Sequence, residues 1–508
     1  MTSAQIGIMI SIVAYLAIVV LIGVVYSKRT KNVGDFYLGG RKLGPLVTAM
    51  SAEASDMSSY LLMGLPGLAY LTGLADVGWT VIGLAIGTYL NWLIVARKLR
   101  NYSERLGAIT VPGFFSLRYK EKSNILLAIA ALVIIVFFVP YTASGFSACG
   151  KLFGTLFGVD YHIAMVISAI IIVGYTSLGG FNAASMTDFI QSIIMTAALI
   201  AVLFFGINQA GGMNAVIENA KGLSGYLSMT QTHDPATGTA SPYTLLTICS
   251  TMAWGLGYFG MPHILLRFMA IEDPGKVRTS RRVASVWVVV SMAVAVLIGF
   301  VGLGMVRNGA IEPLEDSERI IVYISDHLSK MGFGFALIAG IILAGILAST
   351  MSTADSQLLA ASSSMSENIL GGLFKLKLSE TAKMIVARVT LIVISVIGVF
   401  IAWDSNSNVF KIVSFAWAGF GAAFGPVMIL SLFWKRSNKF GAVAGMLAGG
   451  IMVFVWKFAV RPIGGVVDIY ELLPAFIFAL IVNVVVSLVT PKPDAEITEV
   501  FDEMKKIK

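Results

Sequence analysis

Charged residues are scarce in this chain. Asp, Glu, Lys and Arg make up 13% of its 508 residues, where a soluble domain carries roughly a quarter. Cysteine is nearly absent. Cys149 and Cys249 are the only two, which excludes a disulfide framework and a thiolate metal cluster. The four histidines, His162, His233, His263 and His327, are scattered without ligand-like spacing. With no histidine or cysteine grouping, no nucleophile–base pair or metal cluster points to an enzyme. What is abundant is apolar: 57% of the chain is hydrophobic and the mean hydropathy is +0.84. A multi-span helical membrane protein is the class that fits.

Apolar runs of about 20 residues recur from end to end. They fall near 5–26, 45–70, 74–96, 124–149, 160–180, 188–208, 242–264, 283–306, 334–365, 384–403, 409–433, 440–460 and 472–490. The pattern predicts an all-α polytopic chain of about thirteen spans in a single domain, residues 1–508. The first run lacks the basic start and cleavage site of a signal peptide and reads as a retained span.

The net charge of +8 raises the question of nucleic acid, and the placement of the charges answers it. Of 36 Lys and Arg, 28 lie in alternate connections: 27–44, 97–123, 265–282, those around 375–388 and 435–439, and the tail. The other 8 lie on the opposite side. Basic residues collect on the cytoplasmic side of a membrane. The split therefore predicts a cell-membrane protein with its N-terminus outside and its C-terminus in the cytoplasm, and it removes nucleic acid as a partner. The connections 209–241 and 307–332 read as outer surface loops, and the tail as a solvated end.

A charge at the bilayer centre costs at least about 2.5–3.5 kcal/mol, so ionisable groups inside spans point to function. The stretch SAEASDMSSYLLMGLPG (51–67) carries Glu53 and Asp56 among small side chains, then Gly64, Pro66 and Gly67, which weaken a helix. Such interrupted spans expose backbone carbonyls to ions and substrates in secondary transporters. In 344–368, Ser349, Ser352, Thr353 and Ser356 share one helical face, with Asp355 close to it. A third span, MAWGLGYFGMPHILLRF, is interrupted by Gly255, Gly257, Gly260 and Pro262 and carries Trp254 and Tyr258. Asp188 reads as a helix start facing water, and His263 and Arg267 as a solvated span end. The broken spans at 45–70 and 242–264 each open a five-span block, 45–208 and 242–433. Interrupted segments in corresponding positions of two halves mark a transport site.

The motifs ASDMS, LLMGLPG, SLGGFNAASMTD, MAWGLGYFGMPHILLRFMAI and ILASTMSTADSQLL resemble the sodium/solute symporter family, and within it the sodium/proline symporters. The resemblance covers nearly the whole chain. It implies a five-plus-five inverted repeat of the LeuT type, with the spans at 5–26, 440–460 and 472–490 added. It implies sodium-coupled uptake of a small amino acid, with L-proline first and another amino acid or a monocarboxylate as alternatives; a ligand sensor is the reading outside transport. Such sensors carry a long cytoplasmic domain, for which the 18 residues after 490 leave no room. Sodium is the implied ion, and a bilayer and a small substrate are the implied partners, with no obligate protein partner. The implied sodium site takes the carbonyls of Ala54, Met57 and Ser349 with the hydroxyls of Ser352 and Thr353, and Asp56 is the implied coupling carboxylate. Ser58, Trp254, Tyr258 and Pro262 fall at positions associated with proline, and Tyr141 at an outer gate. A second sodium site of some relatives matches Asp188, Ser352, Asp355 and Ser356. Met261 stands where proline carriers have glutamine, Ser349 replaces a typical alanine, and Asp355 occupies a usually uncharged position. Glu53 matches no implied ligand and is expected to be a structural or gating partner.

Overall fold

The computed structural model describes residues 2–27, 32–376, 378–406 and 408–506. Lys28, Arg29, Lys31, Lys377 and Lys508 of the basic connections and tail lie outside the described residues. Among the described residues, ten helices are long and apolar enough to cross a membrane, against the thirteen spans expected. The runs at 45–70, 160–180 and 242–264 yield only shorter pieces, because the backbone breaks inside or beside each of them.

In chain order the helices that build the body begin with α1 (Ser3–Ser27), α2 (Pro45–Ser59), α3 (Leu65–Thr72) and α4 (Leu74–Leu90). The long α5 (Ile125–Phe157) and α6 (Tyr161–Gln209) follow, then α7 (Leu245–Met252), α8 (Pro262–Ala270) and α9 (Val277–Arg307). The rest are α10 (Phe333–Ser363), α11 (Glu380–Ile401), α12 (Val409–Phe433), α13 (Lys439–Val455), α14 (Leu472–Val489) and α15 (Ala495–Lys506). The interruptions are specific. A wide turn, Tyr60–Gly64, separates α2 from α3, and a tight 3-10 turn, Ala253–Phe259, separates α7 from α8. Helix α6 bends at Gly180, where φ 63 and ψ −168 suit glycine and strain other residues.

Helix α10 is the central post, buried continuously from Ile342 to Ser363 and packed on α1, α2, α5 and α6. Its run of Ala, Gly, Ser and Thr gives it a thin profile, and small residues are what let helices approach closely in lipid. At Gly340 an added Cβ would lie 2.8 Å from the Ile8 carbonyl oxygen and 2.6 Å from the Ser11 Cβ, so α1 depends on this glycine. The Ser11 hydroxyl donates to the Leu337 carbonyl at 2.9 Å, and Gln191 Nε2 donates to the Tyr15 hydroxyl at 2.9 Å. The first apolar run is thus seated in the helical body.

Two connections are more structured than surface loops. The 209–241 segment holds a helix, Met213–Lys221, and the first strand of a hairpin pairing Gln231–His233 with Ala240–Pro242. It is anchored by Tyr226, whose hydroxyl donates to the Ala69 carbonyl at 2.7 Å. In 307–332, Glu318 is buried. It pairs with Lys151 at 2.8 Å and accepts from the Val409 and Phe410 amides at 3.1 and 3.0 Å, capping α12. The tail is likewise docked, not free. Helix α15 buries Ile497 and Phe501 and pairs Glu496 with Lys120, Asp502 with Lys435 and Glu503 with Arg105.

Candidate functional site

The break in the second apolar run lies earlier than its glycines and proline suggest. Ser58 has φ 47 and ψ −167, a left-handed backbone that strains a residue with a side chain. Pro66 sits in the first turn of α3, where a proline fits a helix without loss. Small neighbours permit the turn at Ser58, and the Ser58 Oγ accepts from the Tyr60 amide at 3.1 Å.

Immediately before this turn, α2 faces α10. The Ser352 hydroxyl is 2.9 Å from the Ala54 carbonyl oxygen and 3.2 Å from that of Ser349. The Thr353 hydroxyl lies 3.1 Å from the same Ser349 carbonyl. Four of the five expected sodium-site groups therefore form one connected cluster of oxygens. The Met57 carbonyl accepts from the Tyr60 amide at the end of α2. Carbonyls at an unwound span end beside hydroxyls suit a hard monovalent cation.

Asp56 and Glu53 are both buried, and they face different partners. The Tyr258 hydroxyl donates to Asp56 Oδ2 at 2.6 Å, and the Tyr141 hydroxyl donates to the Asp56 carbonyl at 3.2 Å. Asp56 Oδ1 has no hydrogen-bond partner among the described residues. Glu53 Oε1 accepts from Trp92 Nε1 at 2.9 Å. Trp254 joins an aromatic group instead of the carboxylates: its ring stacks on Tyr60 at 5.6 Å and on Tyr470 at 5.1 Å. Its carbonyl accepts from Trp417 Nε1 at 2.8 Å. Pro262 is the first residue of α8 and is buried; it makes no hydrogen bond to the Asp56 cluster.

Backbone proximity sets the aromatic wall. An added Cβ at Gly87 would lie 2.5 Å from the Gly255 Cα, so α4 and the 253–259 turn touch through glycines. Asn91 Nδ2 then reaches the Tyr258 carbonyl at 2.9 Å, fixing the turn that presents Tyr258.

A second polar cluster lies one to two turns before the break. Asp188, expected at a water-facing helix start, is fully buried inside α6, because the chain continues as helix past Gly180. Arg267 and His263, expected at a solvated end, are also buried. The guanidinium is the reason. Arg267 Nη2 pairs with Asp188 at 2.8 Å and donates to the Ser356 hydroxyl at 2.5 Å. Its Nε donates to Ser51 at 3.0 Å and its Nη1 to the His263 carbonyl at 2.9 Å. Asp355 accepts from the Tyr175 hydroxyl at 2.7 Å and from Ser356 at 3.0 Å. The residues expected around a second sodium, Asp188, Ser352, Asp355 and Ser356, are brought together, and Arg267 reaches into them.

Two further participants carry a signal in the sequence. A lone Arg267 inside the apolar HILLRFMAI is expensive in a membrane unless paired. Gln357, one turn beyond Thr353, continues the polar face of α10. Trp92 and Tyr470 had no such signal, since an aromatic residue in an apolar run is ordinary.

A family model described as the sodium:solute symporter family matches residues 36–449. The chain is 38% identical over 504 residues to the osmoregulated proline transporter OpuE of Bacillus subtilis, covering 99% of each chain. It is 40% identical over 486 residues to the high-affinity proline transporter PutP of the same organism, covering 95% of this chain and 98% of that one. It is 42% identical over 503 residues to the sodium/proline symporter of Haemophilus influenzae, covering 98% and 97%. Among solved structures, a Na+-coupled sialic acid symporter in a substrate-bound outward-open state matches with TM-score 0.79 and 19% identity, over 96% of this chain and 99% of that one. The nucleobase-cation-symport transporter Mhp1 matches with TM-score 0.57 and 14% identity, over 94% and 100%. The fold is the LeuT-type fold of these symporters.

Proposed function

The chain belongs to the sodium:solute symporter family, and from that premise we propose that it takes up L-proline together with sodium by alternating access. It is a transporter and not an enzyme, with sodium as the coupling ion. The full-length likeness to carriers named for proline supports the substrate. The observation that carries the mechanism is the oxygen cluster in which Ser352 meets Ala54 beside the turn at Ser58.

In this reading sodium binds between α2 and α10, at the carbonyls of Ala54, Met57 and Ser349 and the hydroxyls of Ser352 and Thr353. Asp56 supplies nearby negative charge and holds Tyr258. Proline lies against Ser58, Tyr141, Tyr258, Trp254 and Pro262, beyond the break. An ion that orders the turn at Ser58 raises the affinity of the adjacent substrate site, and the coupling is reciprocal. One charge crossing 100 mV gains about 2.3 kcal/mol, roughly a fifty-fold concentration ratio. Residues 45–208 and 242–433 are the two halves that rock against each other. In this reading the N-terminus is outside and the C-terminus cytoplasmic, which the placement of the basic connections supports. A second sodium at Asp188, Ser352, Asp355 and Ser356 requires Arg267 to leave. With the guanidinium seated there, we propose one sodium per cycle. Glu53 is a structural tie between α2 and Trp92.

Uptake by the purified protein in liposomes tests this. Labelled proline should accumulate with sodium outside and fail to accumulate with choline. Uptake that is unchanged in choline removes the coupling.

A further inference from the structure

Gln357 is fully buried on α10, one turn after Thr353. Its Oε1 accepts from the Thr142 hydroxyl of α5 at 3.0 Å, which fixes the plane of the amide. Its Nε2 has no hydrogen-bond partner among the described residues. A buried amide donor left unpaired is costly, so its persistence in a packed core asks for a ligand.

The amide lines a small cavity, of about 10 Å³, with Ser58, Ser59, Tyr141, Thr142, Ser144 and Thr353 among its walls. Most of these hydroxyls are engaged. Tyr141 donates to the Asp56 carbonyl, Ser144 to the Tyr141 carbonyl and Thr353 to the Ser349 carbonyl. The Ser59 hydroxyl is buried and, like Gln357 Nε2, has no partner. Two free donors thus stand around one cavity at the start of the outer half of the broken span, the positive end of that segment. No Lys, Arg or His lines it.

We propose that Gln357 is a substrate-binding residue whose Nε2, together with the Ser59 hydroxyl, holds the carboxylate of the transported amino acid. The inference rests on the amino-acid symport reading above. Two free donors match the two oxygens of a carboxylate. A hydroxyl of the proposed sodium set, that of Thr353, forms part of the same wall, so the ion's charge stands beside the carboxylate and substitutes for an absent Lys or Arg. Cavity size requires the walls to part when substrate enters, and the strained turn at Ser58 is the place where they can.

The test uses the full chain in liposomes, with labelled proline uptake inhibited by unlabelled proline or by pyrrolidine, which has the ring and amine without the carboxylate. Gln357→Met should weaken proline by about tenfold or more, the loss of one hydrogen bond to a charged group. It should leave pyrrolidine inhibition and the half-saturating sodium concentration within about twofold, the range of a bystander. Thr142→Val, which releases the amide oxygen, should shift proline in the same direction by a smaller factor; it also serves if Gln357→Met does not accumulate. Equal weakening of proline and pyrrolidine, or a shift in sodium alone, overturns the proposal. Absence of sodium-driven proline uptake by the unaltered protein is a separate result, and it overturns the symport reading.

Discussion

The Ser352 hydroxyl and the Ala54 carbonyl oxygen stand 2.9 Å apart although 298 residues separate them in the chain. A hydroxyl hydrogen rotates freely. When it turns away, both oxygens are left to accept a cation, so the hydrogen bond and the proposed ion site exclude each other while sharing a geometry. Ser349 contributes differently: its hydroxyl bonds back to the Ile346 carbonyl at 2.8 Å, and its carbonyl faces Ser352 and Thr353.

Ser352→Ala should therefore raise the half-saturating sodium concentration for uptake by about tenfold or more, the equivalent of about 1.4 kcal/mol. Ser349→Ala, which keeps the carbonyl, should stay within about twofold of the parent. Sodium titrations of proline uptake in liposomes separate the two. Equal effects would mean that the hydroxyl of Ser352 is not a ligand.

The pairing of Arg267 with Asp188 predicts both a stability effect and a stoichiometry. Removing one partner of a buried ion pair costs about 3–5 kcal/mol, because the other charge is left uncompensated. Arg267→Gln and Asp188→Asn should each lower thermal stability strongly in detergent, and the double variant should recover much of the loss. Reversal-potential measurements on the parent should give one sodium per proline. A ratio of two would show that a second ion displaces the guanidinium.

Most of the fold was legible because a membrane leaves few options: long apolar runs, alternating basic connections and two interrupted spans. The break itself was legible as a region but not as a residue. Pro66 and Gly67 looked like its cause, yet proline suits the start of α3, and the turn falls on Ser58. The oxygen cluster is visible as a stripe on α10, while the local pattern places Asp188 and Arg267 at solvated span ends. Their burial comes from a pairing between distant segments, and single-helix periodicity carries no record of such pairings. The role of Glu318 has no local signal for the same reason: its partners Lys151 and Val409 lie far from it in sequence.

Tyr258 ties the proposed substrate wall to Asp56 through a 2.6 Å hydrogen bond. Tyr258→Phe keeps the ring against Trp417 but leaves a second oxygen of a buried carboxylate without a donor. An unsatisfied buried acceptor costs about 1–3 kcal/mol. Proline affinity should fall about tenfold or more, measured by inhibition of labelled uptake. Tyr141→Phe removes a longer 3.2 Å bond to a backbone carbonyl and should have the smaller effect. The reverse order would place the critical contact at Tyr141.

Glu318 gives the last prediction, because it does two things at once. It neutralises buried Lys151 at 2.8 Å and accepts both leading amides of α12. Glu318→Ala leaves the two amides without their acceptor and Lys151 with Asp316 alone of its two carboxylates, and should lower stability by about 1–3 kcal/mol. Glu318→Gln keeps an acceptor for the amides, and Asp316 still pairs with Lys151 at 2.9 Å, so its loss should be smaller. Adding Lys151→Met to Glu318→Ala should restore part of the stability by removing a buried ammonium left with the partly exposed Asp316 as its carboxylate. Thermal unfolding of the purified variants in detergent orders them. If Glu318→Ala unfolds with the parent, the pair contributes nothing to holding the 307–332 connection over α12.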